Sequence, residues 1–433
     1  MSVSKGGRPA RCGPPFETRP YGALLRVRQV LSSCAKRIDM THRVAIVGAG
    51  PSGFYAADGL LRSRPDLHID VIDRLPTPFG LVRAGVAPDH QGTKAVVRQF
   101  DRLLAQPDLR FAGNIEIGRD LSWDDLLEAY DAIIVATGMV VDRKLGIPGE
   151  ELPHVWGSWR LVAWLNGHPD FRVGPDLSQV KSVAVIGNGN VALDVARVLA
   201  KSAEEMAKSD IVPEAESAIV AAPITDIHVI GRRGAEHASF TNNELAEMGR
   251  LVRAVSVADA SVLQAVAPAE DPTPEKLRKG KNIDTLKGFA AHKPGEKPVT
   301  VHFTFHAAPT KIQPGEVVLS SGSVKADLVV TCIGYTGQPF PQGEGIFPVG
   351  WARRGPTGTI PTNRADSHAV AQQVLAWLKD RDPKSGPDVL PVAVDAAGWH
   401  RIDKHEIAAG TAVGRPRVKL TDWQALLDVA QSG

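Results

Sequence analysis

The chain has 433 residues, which is enough for two or three domains. Its formal net charge of only +2 gives no support to nucleic-acid binding, and no apolar run approaches the roughly 20 residues of a membrane-spanning helix. The three cysteines, Cys12, Cys34 and Cys332, form no C-x-x-C pair, so the sequence predicts no bound metal, no iron–sulfur cluster of its own and no redox dithiol.

The first 39 residues differ in composition from the rest of the chain. They are rich in Pro, Gly and Arg and show no sustained periodicity, as is typical of disorder. We expect a dispensable leader before Met40 and a cytoplasmic protein, because scarce cysteine suits a reducing compartment. An Arg-rich organelle transit peptide is the less favoured alternative.

The stretch RVAIVGAGPSG predicts a dinucleotide-binding turn. A short apolar strand, Arg43–Val47, runs into a G-x-G-x-x-G that contains Gly48, Gly50 and Gly53, and an apolar helix pattern follows. The first glycine permits the tight turn, the second lets a pyrophosphate approach the backbone, and the third lets the helix pack on the strand. A second strand, HIDVID, ends in Asp73, where a carboxylate can accept hydrogen bonds from ribose hydroxyls.

A rigid loop and further alternating elements follow. The loop PTPFGLVRAGVAPDH, residues 76–90, is rich in Pro and Gly, and we expect it to lie along the cofactor. Residues 93–105 predict a helix, while residues 110–118 and 131–138 predict strands. The Pro/Gly-rich segment LGIPGEELP then predicts a crossing to a second domain.

A second glycine turn follows the strand Val183–Ile186. Residues 187–192, GNGNVA, form a G-x-G-x-x-A that leads into the helix pattern VALDVARVLAK. Two such turns in one chain predict two nucleotide cofactors. A bound flavin and an exchangeable nicotinamide would give hydride transfer between them.

The residues after the next strand, Asp226–Ile230, predict a preference for NADP over NAD. Arg232 and Arg233 stand where an NAD-binding unit carries an acid. Guanidiniums grip a 2′-phosphate through paired hydrogen bonds. The alternative is a solvated arginine pair on a loop.

The stretch SFTNNELAEMGRLVR predicts one helix with Thr241 or Asn242 as its N-cap. Glu244 and Glu247 lie in its first turns, and an alternative role for acids there is to complement the helix dipole. Arg250 and Arg253 are candidate docking residues for an acidic partner, and a solvated helix face is the alternative.

The C-terminal part adds four predictions. Residues 268–296 are polar and predict a surface excursion. Residues 299–312 alternate as in an edge or antiparallel strand, whereas residues 326–335 predict a buried strand. A Gly-Pro-Thr-Gly turn before a helix over residues 363–378 offers backbone N–H groups suited to a flavin ring edge.

These motifs together resemble one family. GAGPSGFYAA, PTPFGLVRAGVAPDH, VIGNGNVALDVAR, IGRRG…SFTNNELAE and GWARRGPTGTI are similar, in this order, to the adrenodoxin reductase family of ferredoxin–NADP⁺ reductases. The resemblance covers the chain from Arg43 onward. It implies an α/β fold with two Rossmann-like domains of the two-dinucleotide-binding flavoprotein type. The FAD-binding domain would comprise residues 40–145 and 327–433, and the NADP-binding domain residues 146–326.

The resemblance also implies site residues, matched position by position. FAD would contact Gly48, Gly50, Ser52, Asp73, Leu81, Ile117, Trp351, Gly358, Thr359 and Ile360. NADP would contact Asn188, Gly189, Asn190, Val191, Arg232, Arg233, Glu244 and the backbone of Gly358. His90 and Glu247 match positions near the nicotinamide–flavin contact, where the alternative for each is a structural hydrogen bond.

The sequence departs from the family pattern in three places. Asp73 stands where members commonly have Glu, which shortens the reach to the ribose. RGAEHASF, residues 233–240, replaces the usual R-G-P-x-Q-x-x-F. The segment between Gly334 and Gly345 is shorter than in members that carry an extra hairpin there, which affects the cover of the flavin and the footprint of the electron acceptor.

The function implied is an FAD enzyme that takes hydride from NADPH and passes electrons singly to an acidic, transiently bound ferredoxin-type iron–sulfur protein. A thioredoxin reductase would need a redox C-x-x-C, and the small subunit of glutamate synthase would bring an N-terminal cysteine cluster. The sequence supplies neither. A non-catalytic nucleotide sensor that kept both sites is the alternative from another class, and the oligomeric state stays open.

Overall fold

The computed structural model describes residues 41–264, 273–384 and 386–432, and the predicted leader of residues 1–39 lies outside the described residues. The strands are β1 Arg43–Val47, β2 His68–Asp73, β3 Leu109–Gly113, β4 Ala132–Val135, β5 Val141–Asp142, β6 Val155–Gly157, β7 Ser182–Ile186, β8 Asp226–Ile230, β9 Ala254–Ala258, β10 Val299–Thr304, β11 Pro309–Gln313, β12 Gly315–Leu319, β13 Gly322–Ala326, β14 Leu328–Thr331, β15 Tyr335–Thr336 and β16 Ile346–Pro348. The helices are α1 Pro51–Ser63, α2 Gly80–Ala84, α3 Gln91–Lys94, α4 Val97–Leu104, α5 Trp123–Ala129, α6 Ser158–Leu165, α7 Asn190–Ala200, α8 Ala203–Met206, α9 Pro213–Ala221, α10 Asn242–Met248, α11 Ala260–Gln264, α12 Pro274–Phe289, α13 Trp351–Arg354, α14 Ile360–Leu378, α15 Ala396–Thr411 and α16 Trp423–Gln431.

The first sheet has the order β16-β4-β1-β2-β3, and all of its strands are parallel. Its central strand is buried from Val44 to Val47, as expected for a parallel sheet covered on both faces. Helices α1 and α14 pack against each other on one face, where Phe54, Phe100 and Trp399 are buried. We call these strands and their helices the first-sheet half.

The second sheet has the order β6-β14-β7-β8-β10-β9, again with parallel pairing throughout. We call these strands and the helices packed on them the second-sheet half. The predicted domain limits stay a prediction, but the pairing of Leu328–Thr331 with β6 and β7 assigns this strand to the second sheet. Strand β10 lies between β8 and β9, so the prediction of an edge or antiparallel strand was wrong for Val299–Thr304.

Two predicted elements in the second-sheet half also need correction. The expected surface excursion of residues 268–296 contains the 16-residue helix α12, because Ile283, Leu286 and Phe289 are buried against the sheet's core. The helix predicted to carry Arg250 and Arg253 ends at Met248, with Gly249 at its C-cap.

The two halves are joined by a short antiparallel ribbon in which β5 pairs with β15. The chain therefore leaves the first sheet and returns to it at neighbouring points. An antiparallel sheet of β11, β12 and β13 lies against β7. Within the described ranges, no helix combines the length and the apolar character needed to cross a bilayer.

Candidate functional site

The first glycine turn has the geometry of a phosphate cradle at the carboxyl end of β1. Gly48 has φ +112°, and a Cβ there would overlap the carbonyl of Ala136. A Cβ on Gly53 would overlap the carbonyl of Gly48. In contrast, a Cβ on Gly50 would meet nothing within 4 Å, and no side chain caps helix α1 behind it. The turn therefore leaves open space beside uncapped helix N–H groups, which suits a phosphate.

Asp73 lies at the end of β2 and holds this turn. Its Oδ2 accepts a hydrogen bond from the Ala49 N–H at 2.7 Å, and its Oδ1 accepts one from Leu75 N–H at 2.9 Å. Burial raises the pKa of Asp73 in spite of these hydrogen bonds. The shorter side chain thus contacts the glycine turn itself, and each oxygen keeps a second lone pair for a ribose hydroxyl.

The predicted cofactor loop crosses over the first turn. Phe79 donates its N–H to the carbonyl of Ala49 at 2.7 Å, and a Cβ on Gly80 would lie 3.0 Å from the Cα of Gly50. Leu81 follows in α2 and packs against a small apolar cluster that includes Trp159 and Ala163 of the second-sheet half. The loop therefore lies between the open space at Gly50 and the second-sheet half.

The C-terminal part of the chain supplies the other predicted FAD contacts around the first glycine turn. A Cβ on Gly350 would overlap the Ser52 hydroxyl, so Gly350 lies directly on helix α1. Trp351 stacks on Tyr335 with ring centroids 6.1 Å apart, and Ile117 lies in the apolar cluster that also contacts Ala352. The first turn of α14 contains no acidic residue. The remaining predicted FAD contacts lie at this helix start: Gly358 with φ +84°, Thr359 and Ile360.

The second glycine turn repeats the geometry at the carboxyl end of β7. Gly187 has φ +148°, and a Cβ there would overlap the carbonyl of Cys332. Gly189 caps helix α7, which has no side-chain cap. The Oδ1 atom of Asn190 accepts a hydrogen bond from the N–H of Thr241 at 2.8 Å, which ties the turn to the start of α10. Val191 continues helix α7. This turn also fits a phosphate.

Arg232 and Arg233 lie at the end of the neighbouring strand β8, where both are exposed. In the described part of the chain, neither guanidinium has a carboxylate within 4.0 Å. The side chain of Asn188 lies over Gly231, since a Cβ on Gly231 would overlap its amide. Two arginines beside the second turn, without internal ion pairs, are suited to bind a 2′-phosphate.

His90 meets both glutamates of α10, although they lie in different halves of the fold. The Nε2 atom of His90 is 3.1 Å from Glu247 Oε2 and 3.3 Å from Glu244 Oε2. Its Nδ1 is 3.6 Å from Asp194 Oδ1. Burial and the charge of Asp194 raise the pKa of Glu244. The cluster can therefore hold a proton, while the role of each residue stays a prediction.

Sequence reasoning missed the ion pairs that position this cluster. Arg197 of α7 is fully buried and binds Asp89 through Nε at 2.8 Å and Nη2 at 3.0 Å. Lys201 binds the same carboxylate at 2.6 Å. A signal was present, because Asp194 and Arg197 interrupt an otherwise apolar helix, where a charged side chain needs a partner.

The comparisons with known proteins agree with this geometry. A model of the pyridine nucleotide-disulphide oxidoreductase family matches residues 42–229. The chain is 36% identical to the NADPH-ferredoxin reductase FprA of Mycobacterium tuberculosis, over 89% of this chain and 98% of that protein. It is 33% identical to the mitochondrial NADPH:adrenodoxin oxidoreductase of Arabidopsis thaliana, over 95% of this chain and 99% of that protein. The solved structure of M. tuberculosis FprA in complex with NADPH superposes with a TM-score of 0.85 at 35% identity and covers 90% of this chain and 99% of that one.

Proposed function

Because this chain belongs to the adrenodoxin reductase family of ferredoxin–NADP⁺ reductases, we propose that it is an FAD-dependent oxidoreductase that takes hydride from NADPH and passes electrons one at a time to a ferredoxin-type iron–sulfur protein. The observation that carries the proposal is the pair of glycine turns, one in each half. The first has open space at Gly50, and the second has Arg232 and Arg233 beside it.

Each half of the fold holds one cofactor in this proposal. The turn at Gly48–Gly53 holds the FAD pyrophosphate and Asp73 the ribose, while the turn at Gly187–Asn190 holds NADPH. When bound, FAD supplies the chemistry, since flavin accepts two electrons together and releases them singly. Dithiol chemistry of the thioredoxin reductase kind needs a redox C-x-x-C, which the sequence lacks.

The protein's own part is to orient the two cofactors and to manage charge between them. His90 comes from the loop beside the first turn and Glu247 from α10, and they meet at 3.1 Å. A proton shared at this contact lies between the two halves, where we place the nicotinamide. Asp89, the residue before His90, makes a bidentate pair with Arg197 of α7 and so fixes the loop that carries His90.

The partner in this proposal is an acidic protein that binds transiently. Arg250 follows α10 and is exposed, Val252 is 71% exposed, and Arg253 is half-buried before β9. An exposed apolar residue between two arginines suits a small electrostatically steered contact. Salt should screen this attraction, because exposed charges lose their interaction over about 10 Å at 0.1 M ionic strength.

The test begins with NADPH-driven reduction of ferricyanide, which needs no protein docking surface. We expect steady turnover by the purified yellow protein, and a protein that binds both nucleotides without turnover would instead be a nucleotide sensor. The second step measures kcat/KM for an acidic ferredoxin at low and moderate salt in wild type, Arg250→Glu/Arg253→Glu and the control Arg102→Glu, whose arginine is exposed on α4.

We expect the double variant to lose rate with ferredoxin and to keep its rate with ferricyanide, while Arg102→Glu keeps both. Ferredoxin rates that are indifferent to salt and to charge reversal would contradict docking at this surface. Equal losses with both acceptors would show that the arginines support the NADPH or flavin site.

A further inference from the structure

A buried charged cluster lies away from both glycine turns, where three parts of the chain meet. It consists of Lys94, Asn166, Asp210 and Lys419, and we call it the lysine cluster. Lys94 Nζ donates to both oxygens of Asp210, at 2.7 and 2.9 Å, and to Asn166 Oδ1 at 2.6 Å. Lys419 Nζ lies 3.0 Å from Asp210 Oδ2 and donates to Asn166 Oδ1 at 2.9 Å.

The cluster links the two halves of the fold. Lys94 belongs to the first-sheet half, and Asn166 and Asp210 belong to the second-sheet half. Lys419 lies in the C-terminal tail, residues 396–432, which packs on the first-sheet core through Ile402 and Leu426. The Asp210 N–H also donates to the carbonyl of Pro88, so the contact continues toward His90.

Lys419 also touches the cofactor loop. Its Nζ donates to the carbonyl of Arg83 at 3.3 Å, two residues after Leu81. The Arg83 guanidinium makes a bidentate pair with Glu406 of the tail at 2.8 and 2.5 Å, and Glu406 is fully buried. Arg417 and the N–H of Leu420 bind the same carboxylate. The tail therefore supports, from behind, the loop that crosses Gly50.

The excess positive charge of the lysine cluster costs folding free energy, because it is buried. Two ammonium groups share one carboxylate, and the side chains of Lys94, Asp210 and Lys419 are only 8%, 4% and 1% exposed. Burial lowers the pKa of both lysines in spite of the nearby Asp210. Buried ion pairs seldom stabilise a fold more than apolar residues of the same size, and their attested use is to select one arrangement. In the lysine cluster the partners come from both halves and from the tail.

We propose that Lys419 is a positioning residue for hydride transfer, because it fixes the cofactor loop, the second-sheet half and the tail at one point. This inference rests on the proposed function, since it assigns the nicotinamide and the flavin to opposite sides of that junction. Misplacement of about 1 Å costs up to about 100-fold in rate.

The test compares Lys419→Met with the control Lys404→Met. Methionine keeps the length of the side chain and removes the three donors, and Lys404 is an exposed lysine of the same tail. Four quantities are measured on the FAD-loaded proteins: FAD content, affinity for 2′,5′-ADP, hydrogen exchange of residues 79–86 and 166–168, and the rate constant of flavin reduction by NADPH in stopped flow. 2′,5′-ADP probes Arg232 and Arg233 without a nicotinamide.

We expect Lys419→Met to keep its FAD and to bind 2′,5′-ADP within about twofold of wild type. Its exchange in the two segments should rise, and its flavin reduction should slow by about 10- to 100-fold. Dithionite-reduced variant should still reduce ferricyanide at the wild-type rate. Lys404→Met should match wild type throughout.

A wild-type reduction rate in Lys419→Met would overturn the inference. The inference would also be overturned if Lys419→Met lost FAD, bound 2′,5′-ADP more weakly and had a lower Tm, but kept the wild-type reduction rate per bound flavin. That result would show that Lys419 only stabilises the fold. If Lys419→Met does not fold, Asn166→Ala removes the amide oxygen that both lysines contact, and an unchanged reduction rate there is equally decisive. A wild-type protein that binds both nucleotides without being reduced by NADPH contradicts the proposed function instead.

Discussion

Replacing Gly50 with valine should separate the protein's own stability from its affinity for FAD. Gly50 has φ −86° and ψ −177°, which is extended backbone that any residue adopts, and its Cβ position is open to 4 Å. The folded chain can therefore accept the side chain. The space that valine would fill is the space assigned to the pyrophosphate.

The two expected effects differ in size. Gly50 is the N-cap of α1, and the poorer capping by valine costs roughly 1 kcal/mol, partly offset by the lower entropy of the unfolded chain. Valine adds three carbon atoms to the space assigned to FAD, and overpacking of this kind costs about 1–3 kcal/mol. At 1.4 kcal/mol for each factor of ten, FAD should bind about 5- to 140-fold more weakly.

The assay is the FAD dissociation constant from flavin fluorescence, with urea unfolding of the FAD-free proteins alongside. Gly189→Val is the matched control at the second turn, where it should weaken NADP⁺ binding and leave the flavin in place. An unchanged FAD dissociation constant in Gly50→Val would refute the assignment of the first turn to FAD. Loss of FAD in Gly189→Val would show that the two turns are not independent sites.

Two further predictions concern named side chains. Replacing Arg232 and Arg233 with alanine should lower kcat/KM for NADPH by about 10²–10⁴, because hydrogen bonds to charged groups contribute about 1.5–3 kcal/mol each. The same change should leave NADH turnover unchanged, and equal losses of kcat/KM with both nucleotides would point to a structural role. Asp70→Asn should lower the free energy of unfolding by about 1.5–3 kcal/mol, measured in urea at pH 7, because the fully buried Asp70 carboxylate accepts hydrogen bonds from Arg110 and Tyr130. Although burial alone would raise the pKa of Asp70, its hydrogen bonds hold that pKa below the ordinary 3.8. The difference in unfolding free energy between wild type and Asp70→Asn should therefore become smaller as the pH falls below about 4. An equal difference at pH 7 and pH 3 would contradict this.

The sequence was most informative where local geometry needs one residue type. Gly48 and Gly187 could be placed because their positive φ and their contacts with a neighbouring strand exclude a side chain. The prediction for strand β10 was wrong because its alternation of apolar and polar residues has another cause. Val299, Val301 and Phe303 pack on the helices, whereas the opposite face of the parallel sheet is only partly covered at this strand. A half-covered parallel strand has the same period as an antiparallel one.

Long-range ion pairs could not be predicted from the sequence. Lys94, Asp210 and Lys419 lie in polar contexts that read as surface, and their pairing depends on how two halves and a tail meet. Helix α12 was missed for a related reason. Its three buried apolar residues stand among lysines and other polar residues, so their helical spacing carried little weight against the composition.

The order of the strands has a consequence for how the chain is made. All six strands of the second sheet lie between residues 155 and 331, whereas the first sheet needs β16, Ile346–Pro348, at its edge and α14 on its face. On a ribosome, the second sheet can close while the first still lacks its last strand. The first glycine turn would then lie on an incomplete core until β16 and α14 have been synthesised. On ribosome-bound chains of increasing length, the amides of Val183–Ile186 should accordingly become protected from exchange before those of Val44–Val47. The first-sheet half is where a nascent chain is most exposed to misfolding.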